Sequence, residues 1–262
     1  EIGFCLVGSE MCIRDRYRGY DSAGLATLSN NLIDEKKCSG RVEELEKILI
    51  KNPSNGNIGI GHVRWATHGI PNIINAHPHS SEKVSVVHNG IIENSDELKK
   101  DLEEKGFKFK SQTDTEVITV LVTRFLENSK PLESVFKTLK KLKGSFALGI
   151  IFKNFPDIII GARRGSPLAV GYSNDENYLG SDSYALKSMT NKISYLDDGE
   201  LCILDKDNVE FYDANQKKIN KKIHTLSDDE NISDKGDYKN FMSKEIFEQS
   251  TTIKKCLNEY TD

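Results

Sequence analysis

The sequence has no uninterrupted apolar run long enough to cross a bilayer, and its start lacks the basic and then apolar segments of a secretory leader. Cysteine is sparse and scattered: five residues, at 5, 12, 38, 202 and 256, an odd number with no Cys-x-x-Cys pair. That spacing excludes a disulfide framework and leads us to expect reduced thiols and a cytoplasmic location. There is no basic excess either. The 36 Lys and Arg are outnumbered by 40 Asp and Glu, giving a net charge of −4, which removes the electrostatic footprint expected of a nucleic-acid binder. The local basic run at 140–143 reads as a solvent-facing helix end. Internal repeats are absent. So is any His-x-x-x-His helical pattern, although five of the six histidines (62, 68, 77, 79 and 88) crowd into one stretch. With no cysteine beside them, a metal centre is not expected, and nothing calls for a cofactor.

What is present is a core-forming chain, 37% apolar, in which β-like runs give way to helices and then return. AGLATL (23–28), IGIGHV (58–63) and VSVVHN (84–89) read as buried strands. NSDELKKDLEEKG reads as a helix, with Asn94 as cap, Glu97 three residues on and Gly106 as stop. A second capping box at Thr113 and Glu116 opens a helix that is apolar nearly all round. A third helix is expected over about 131–143, from Pro131 to Gly144. The second half, SFALGIIF to NVEFYD, reads as an antiparallel meander broken by one short helix near 182–189. From 226 the chain turns polar and leads into a final helix with one apolar stripe.

Four polar clusters sit at strand ends or turns: YRGYDSAG (17–24), RWATHG (64–69), HNG (88–90) and TDTE (113–116). Arg64 offers a planar fork that matches a carboxylate, either of this chain or of a ligand. Asp114 either favours a helix dipole or binds an ammonium group. One cation and one anion held apart form a recognition pair for a free α-amino acid. Asn89 and Gly90 make either a hairpin turn or a pair of donors for an oxyanion.

Taken together and in order, YRGYDSAG, GHVRWATHG, NAHPH, VVHNGIIEN and TDTEVI resemble the glutaminase (class II glutamine amidotransferase) domain of the glutamine–fructose-6-phosphate aminotransferases (isomerising), the glucosamine-6-phosphate synthases. The resemblance runs from about Tyr17 to Gln249. It implies an α+β fold, the four-layer αββα sandwich of N-terminal-nucleophile hydrolases. It also implies that Arg64 holds the α-carboxylate of L-glutamine and Asp114 its α-ammonium. Thr67 and His68 would line the pocket, Asn89 and Gly90 would form the oxyanion hole, and Trp65 would ride on a closing loop. Arg18 would support the site from outside. The expected partners are L-glutamine and a sugar-isomerase half of the same enzyme, in a homo-oligomer when full length. The reaction of such an enzyme takes L-glutamine and D-fructose 6-phosphate to D-glucosamine 6-phosphate and L-glutamate, and this half would supply the ammonia.

The family's nucleophile is a cysteine at the mature N-terminus whose own α-amine acts as base. Here residues 1–16 do not match that start. Cys5 is the nearest candidate, but four residues precede it, so it lacks a free amine. We therefore expect residues 1–16 to be a foreign segment outside the core. Residues 17–225 would be a glutaminase domain without its first strand and helix, and 226–262 a linker and helix leading to an absent half. The competing readings are a non-catalytic glutamine-binding module and the glutaminase domain of an amidophosphoribosyltransferase.

Overall fold

The computed structural model describes residues 2–3, 21–65, 69–226, 238 and 241–261. By its contacts the chain divides at Leu226/Ser227, where the composition turns polar. The first unit holds two antiparallel sheets. The strands are β1 (Ile2–Gly3), β2 (Ser22–Ser29), β3 (Leu32–Ser39), β4 (Ile58–Arg64), β5 (His79–Ser80), β6 (Val84–Ile92), β7 (Gly144–Phe152), β8 (Phe155–Arg164), β9 (Ala169–Tyr172), β10 (Asn177–Gly180), β11 (Lys192–Tyr195), β12 (Leu201–Leu204), β13 (Val209–Tyr212), β14 (Lys218–Ile219) and β15 (His224–Thr225). One sheet runs β15-β11-β9-β10-β1-β4-β2-β3 and the other β14-β13-β12-β8-β7-β6-β5. The helices are α1 (Val42–Lys51), α2 (Ser95–Glu104), α3 (Thr115–Phe125), α4 (Pro131–Leu139) and the short α5 (Ser183–Leu186). In the second unit, α6 covers Phe241–Thr261, and Tyr238 stacks on Phe247 there.

The strand period of two sorts the apolar residues into layers. Along β7, Leu148 and Ile150 join a core with α2, α3 and α4, while Ala147 and Ile151 face the other sheet. The neighbouring strands repeat the alternation: Val86 and Ile160 go outward, Val87 and Ile159 inward. The inter-sheet core is completed by Ala26, Leu28, Ile58 and Ile60 from the first sheet. That sheet's outer face packs Ala23 and Val63 against Val42 and Leu45 of α1, and Ala169, Tyr178 and Ile193 against Leu186 of α5. Helices, sheet, sheet, helices is the four-layer αββα order, as expected.

Several local expectations change. The meander of the second half is split: β8, β12, β13 and β14 stay in one sheet while β9, β10, β11 and β15 cross to the other. Strand runs read from sequence carry no label for which sheet they join. The strand β3 and the helix α1 escaped notice; half of the β3 segment LIDEKKCS is charged, as an edge strand can be. Asn30 and Asn31, at φ of 51° and 57°, make the two-residue turn that joins it to β2. The helix expected to reach 143 stops at Leu139. At the N-terminus, the backbone of Ile2–Gly3 pairs with both β4 and β10 inside the first sheet, so these two residues do not lie outside the core as expected. Without them the two strands would face each other with unpaired edges, and backbone pairing requires no particular side chain. Residues 4–16, and with them Cys5, lie outside the described residues.

The two-sided packing of β7 predicts that Ile150→Ala and Ile151→Ala, one residue apart, each cost about 2–5 kcal/mol, because each opens a void in a different layer. Urea unfolding of the two variants and the double variant should show near-additive losses.

Candidate functional site

The inward face of β4 begins apolar and ends polar. Ile58 and Ile60 belong to the inter-sheet core, and the same face then carries His62 and Arg64. On β6 the matching face passes from Val87 to Asn89. The two sheets thus part at one end around a cavity of about 120 Å³, lined by His62, Arg64, Trp65, His77, His88, Asn89, Gly90, Thr113, Asp114 and Thr115. Of the residues singled out from sequence, Arg64, Trp65, Asn89, Gly90 and Asp114 all meet there. Thr67 and His68, and Arg18 of the YRG motif, lie outside the described residues.

Arg64 is 3% exposed. Its Nη1 lies 3.5 Å from Asp21 Oδ1 and its Nη2 donates to the carbonyl of Gly69 at 3.3 Å. This arginine therefore has an internal partner and also lines the cavity. Burial lowers its pKa from the ordinary value, with Asp21 and Asp114 pulling the other way. Asp114 is the N-cap residue of α3 but makes no side-chain cap. Instead its Oδ2 accepts from the Ile92 N–H at 2.8 Å and lies 3.9 Å from His88 Nδ1. The capping box does not form either. Glu116 accepts from the Lys110 and Ser111 N–H groups, and Thr113 Oγ1 bonds His79 Nε2 at 2.9 Å.

Asn89 and Gly90 are not a turn. Both lie within β6, paired with Ala147 and Phe146. Gly90 has φ +129°, and a Cβ there would stand 2.1 Å from the Ser145 carbonyl oxygen, so no other residue fits. Asn89 Oδ1 lies 2.9 Å from His62 Nε2. Trp65 is 67% exposed at the cavity mouth.

Four buried histidines gather here, His62, His77 and His88 in the cavity lining and His79 beside them. The rings of His62 and His77 stack at 4.4 Å, and His77 meets His79 edge-on at 5.0 Å. Thr115 Oγ1 bridges His77 Nε2 at 2.8 Å and His88 Nδ1 at 3.0 Å. Burial holds His62 and His77 well below the usual imidazole range and lowers His79 to about 3. Among the described residues no group of three His, Cys, Asp or Glu could hold a metal ion.

Sequence reasoning missed the tie between the two charged poles. Asn75, 1% exposed, donates to the carbonyl of Ile70 at 3.0 Å and to Gln112 Oε1 at 3.1 Å, and accepts from the Gln112 N–H at 2.9 Å. This joins the loop after Arg64 to the loop before Asp114. An asparagine in a polar loop carries no signal of its partner 37 positions away.

The buried neutral histidines set a pH dependence. Unfolded, they bind protons below about pH 6.5, whereas folded they resist until far lower, so the unfolded state takes up more protons in that window. Stability is complete above about 6.5 and falls as the pH drops towards about 3, the value for His79. Each histidine contributes at most about 1.4 kcal/mol per pH unit. Urea midpoints should drop measurably between pH 7.5 and pH 5.5, before carboxylates titrate. The drop should shrink when His79 is replaced by Gln.

A glutamine amidotransferase domain is matched by residues 72–188. The glutamine–fructose-6-phosphate aminotransferase (isomerizing) of Zymomonas mobilis is 46% identical over 248 residues, covering 94% of this chain and 41% of that protein. Its namesake in Clostridium acetobutylicum is 49% identical over 92% of this chain and 40% of its own length. The one from Gluconobacter oxydans is 43% identical and takes in 98% of this chain, so part of residues 1–16 aligns with it. The chain spans about 41% of the length of such relatives. Among solved structures, the glutamine phosphoribosylpyrophosphate amidotransferase of B. subtilis superposes with a TM-score of 0.68 at 23% identity, over 83% of this chain and 49% of that one. An allosteric regulatory enzyme of purine biosynthesis gives 0.69 at 24%, over 81% and 48%. These likenesses establish the shared fold. The chain belongs to the glutamine amidotransferases, as a domain of the kind found in the glutamine–fructose-6-phosphate aminotransferases (isomerising).

Proposed function

We propose that this chain binds free L-glutamine and forms the glutamine-hydrolysing part of a protein that passes ammonia to fructose 6-phosphate. The observation that carries the proposal is the shared cavity: two buried, oppositely charged side chains, Arg64 and Asp114, line it together with Asn89 and Gly90. Arg64 takes the α-carboxylate in a bidentate fork and Asp114 takes the α-ammonium, which fixes the side-chain amide of the ligand by length alone. Asn89 Nδ2 and the Gly90 N–H face the oxygen that becomes negative when a thiolate attacks that amide. In the attack the carbon–sulfur bond forms and the carbon–nitrogen bond breaks, the proton lost by the thiol passing through an amine base to the departing ammonia; water then cleaves the thioester, releasing glutamate and restoring the thiol. Thr67 and His68 complete the pocket wall, and exposed Trp65 serves as its lid. The remaining part of the protein supplies the sugar site, and assembly into a homo-oligomer in the cytoplasm belongs to the same proposal. No helix among the described residues is long and apolar enough to cross a membrane.

The competing reading is a glutamine-binding module without catalysis. It draws on the cysteines: of the described ones, Cys202 is enclosed in the inter-sheet core and Cys38 in the layer under α1, and neither lines the cavity. The thiol of Cys202 is also pushed above its ordinary value by burial. The phosphoribosyl-transferring relatives are less favoured, since they share 23–24% identity against 46% for the aminosugar relative.

Glutamine binding by this chain, measured calorimetrically, is expected to weaken about 10- to 100-fold in Arg64→Lys and in Asp114→Asn, or about 1.4–2.7 kcal/mol. Asparagine at 114 still accepts from the Ile92 N–H, so the loss there reports charge rather than folding. Undiminished binding in both variants would remove the clamp. Catalysis is tested separately by giving the chain a Met-Cys-Gly start and following glutamate release. Binding with release supports the amidotransferase, binding without release supports the binding module, and neither sinks the proposal.

A further inference from the structure

We infer that His62 is the positioning residue of Asn89: as a neutral imidazole with its proton on Nε2, it donates to Asn89 Oδ1 and turns the NH2 end of that amide into the cavity. The inference rests on the reading of Asn89 as the group that polarises the glutamine amide, and it supplies what that reading lacks. An asparagine side chain has a donor end and an acceptor end of nearly the same shape. Turned one way it stabilises a developing oxyanion. Turned the other way it presents lone pairs to it. Something must choose, and the strand backbone does not.

The geometry leaves one self-consistent arrangement. His62 and Asn89 sit on facing sheets, 2.9 Å apart at Nε2 and Oδ1. His62 is 6% exposed, and its Nδ1 has no hydrogen-bond partner among the described residues. If Nε2 carries the proton, Nδ1 is a bare lone pair in the core. If the amide were reversed, Nε2 would have to accept, the ring proton would move to Nδ1, and an N–H donor would be stranded there. A buried orphan N–H is the rarer defect, an under-satisfied acceptor the more tolerable one. The doubly protonated ring strands the same donor and adds charge beside other imidazoles and a guanidinium. His77 stacks on the His62 ring at 4.4 Å, His88 lies on the same strand as Asn89, and Arg64 is two residues along β4. Burial is the largest influence holding the ring neutral, with His88 and Arg64 acting in the same direction. The stacked His77, itself anchored to Thr115, prevents the His62 ring from rotating out of register with Asn89.

His62 lines the cavity, but among the described residues its ring hydrogen-bonds only the Asn89 amide, so its effect falls on turnover more than on glutamine affinity. Two measurements test this. A two-bond 1H–15N correlation spectrum of the labelled chain should show the His62 proton on Nε2, unchanged from pH 8 to pH 5. A proton on Nδ1, or titration near the ordinary imidazole value, overturns the proposal. In the same chain bearing the Met-Cys-Gly start, His62→Leu should lower kcat for glutamine hydrolysis about 10- to 100-fold with KM held within about threefold. His62→Gln, which can still donate, should recover most of the loss. Asn89→Ala combined with His62→Leu should be no slower than Asn89→Ala alone. A loss confined to KM, or fully additive losses, overturns the positioning role. If Asn89→Ala leaves hydrolysis intact, the oxyanion reading falls and the role with it. The spectrum reports separately whether the orientation itself is correct.

Discussion

The structure turns on a change of polarity along one face of one strand. Side chains alternate across β4, so a single run places Ile58, Ile60, His62 and Arg64 on the inward side in order. The first two join the core that holds the sheets together. The last two reach its end, where apolar contact can no longer be continued and the sheets enclose a polar cavity instead. A one-residue slip of β4 against β2 would send this entire set to the face covered by α1. The register Ser22↔Arg64 to Leu28↔Ile58 is therefore both a packing constraint and the device that aims the guanidinium. Site and core are parts of the same pattern.

That arrangement carries an electrostatic cost which the surroundings offset in two different ways. Arg64 stays charged because Asp21 and Asp114 stand near enough to compensate for lost water. The histidines are treated in the opposite manner. They are buried, with burial holding His62, His77 and His79 neutral, and the ring nitrogens of the cluster bond to hydroxyls and an amide: Thr113, Thr115 and Asn89. A polar layer of neutral imidazoles between the clamp and the apolar core supplies directional hydrogen bonds without adding positive charge beside Arg64. Threonine suits this role because one hydroxyl both donates and accepts, as Thr115 does between His77 and His88.

The strands and helices with clear periodicity were legible in the sequence, as were the five cavity residues carried by motifs. The αββα order followed from the resemblance, and the alternation seen in β6, β7 and β8 is its physical cause. What was not legible is instructive. Local spacing could not say that Asn89-Gly90 would sit inside a strand, because Asn-Gly is the strongest hairpin signal. The deciding fact is remote: Ser145 on β7 comes so close to Gly90 that only glycine fits. Asp114 likewise could be read as a carboxylate that only favours a helix dipole. It is diverted because the Ile92 N–H, 22 positions away, offers a bond in place of the helix's own amides. Asn75 stood in the NAHPH motif with no sign of its partner, and Gln112 gave no signal. Each miss involves a hydrogen bond or steric contact between segments distant in sequence, which no window of neighbours contains.

These remote contacts also explain how binding and attack can be separate properties of one fold. Among the described residues, those lining the cavity fall between positions 62 and 115, on β4, β6, the start of α3 and the loops that Asn75 and Gln112 tie together. The clamp and the donor pair are thus assembled by elements independent of the first strand. That strand enters between β4 and β10: Ile2 pairs with His62 and Gly3 with Gly61 on one side, and Gly3 with Gly180 on the other. The polar lining of the cavity therefore depends on the registers of β4 and β6 and on the tie between the loops that follow Arg64 and precede Asp114.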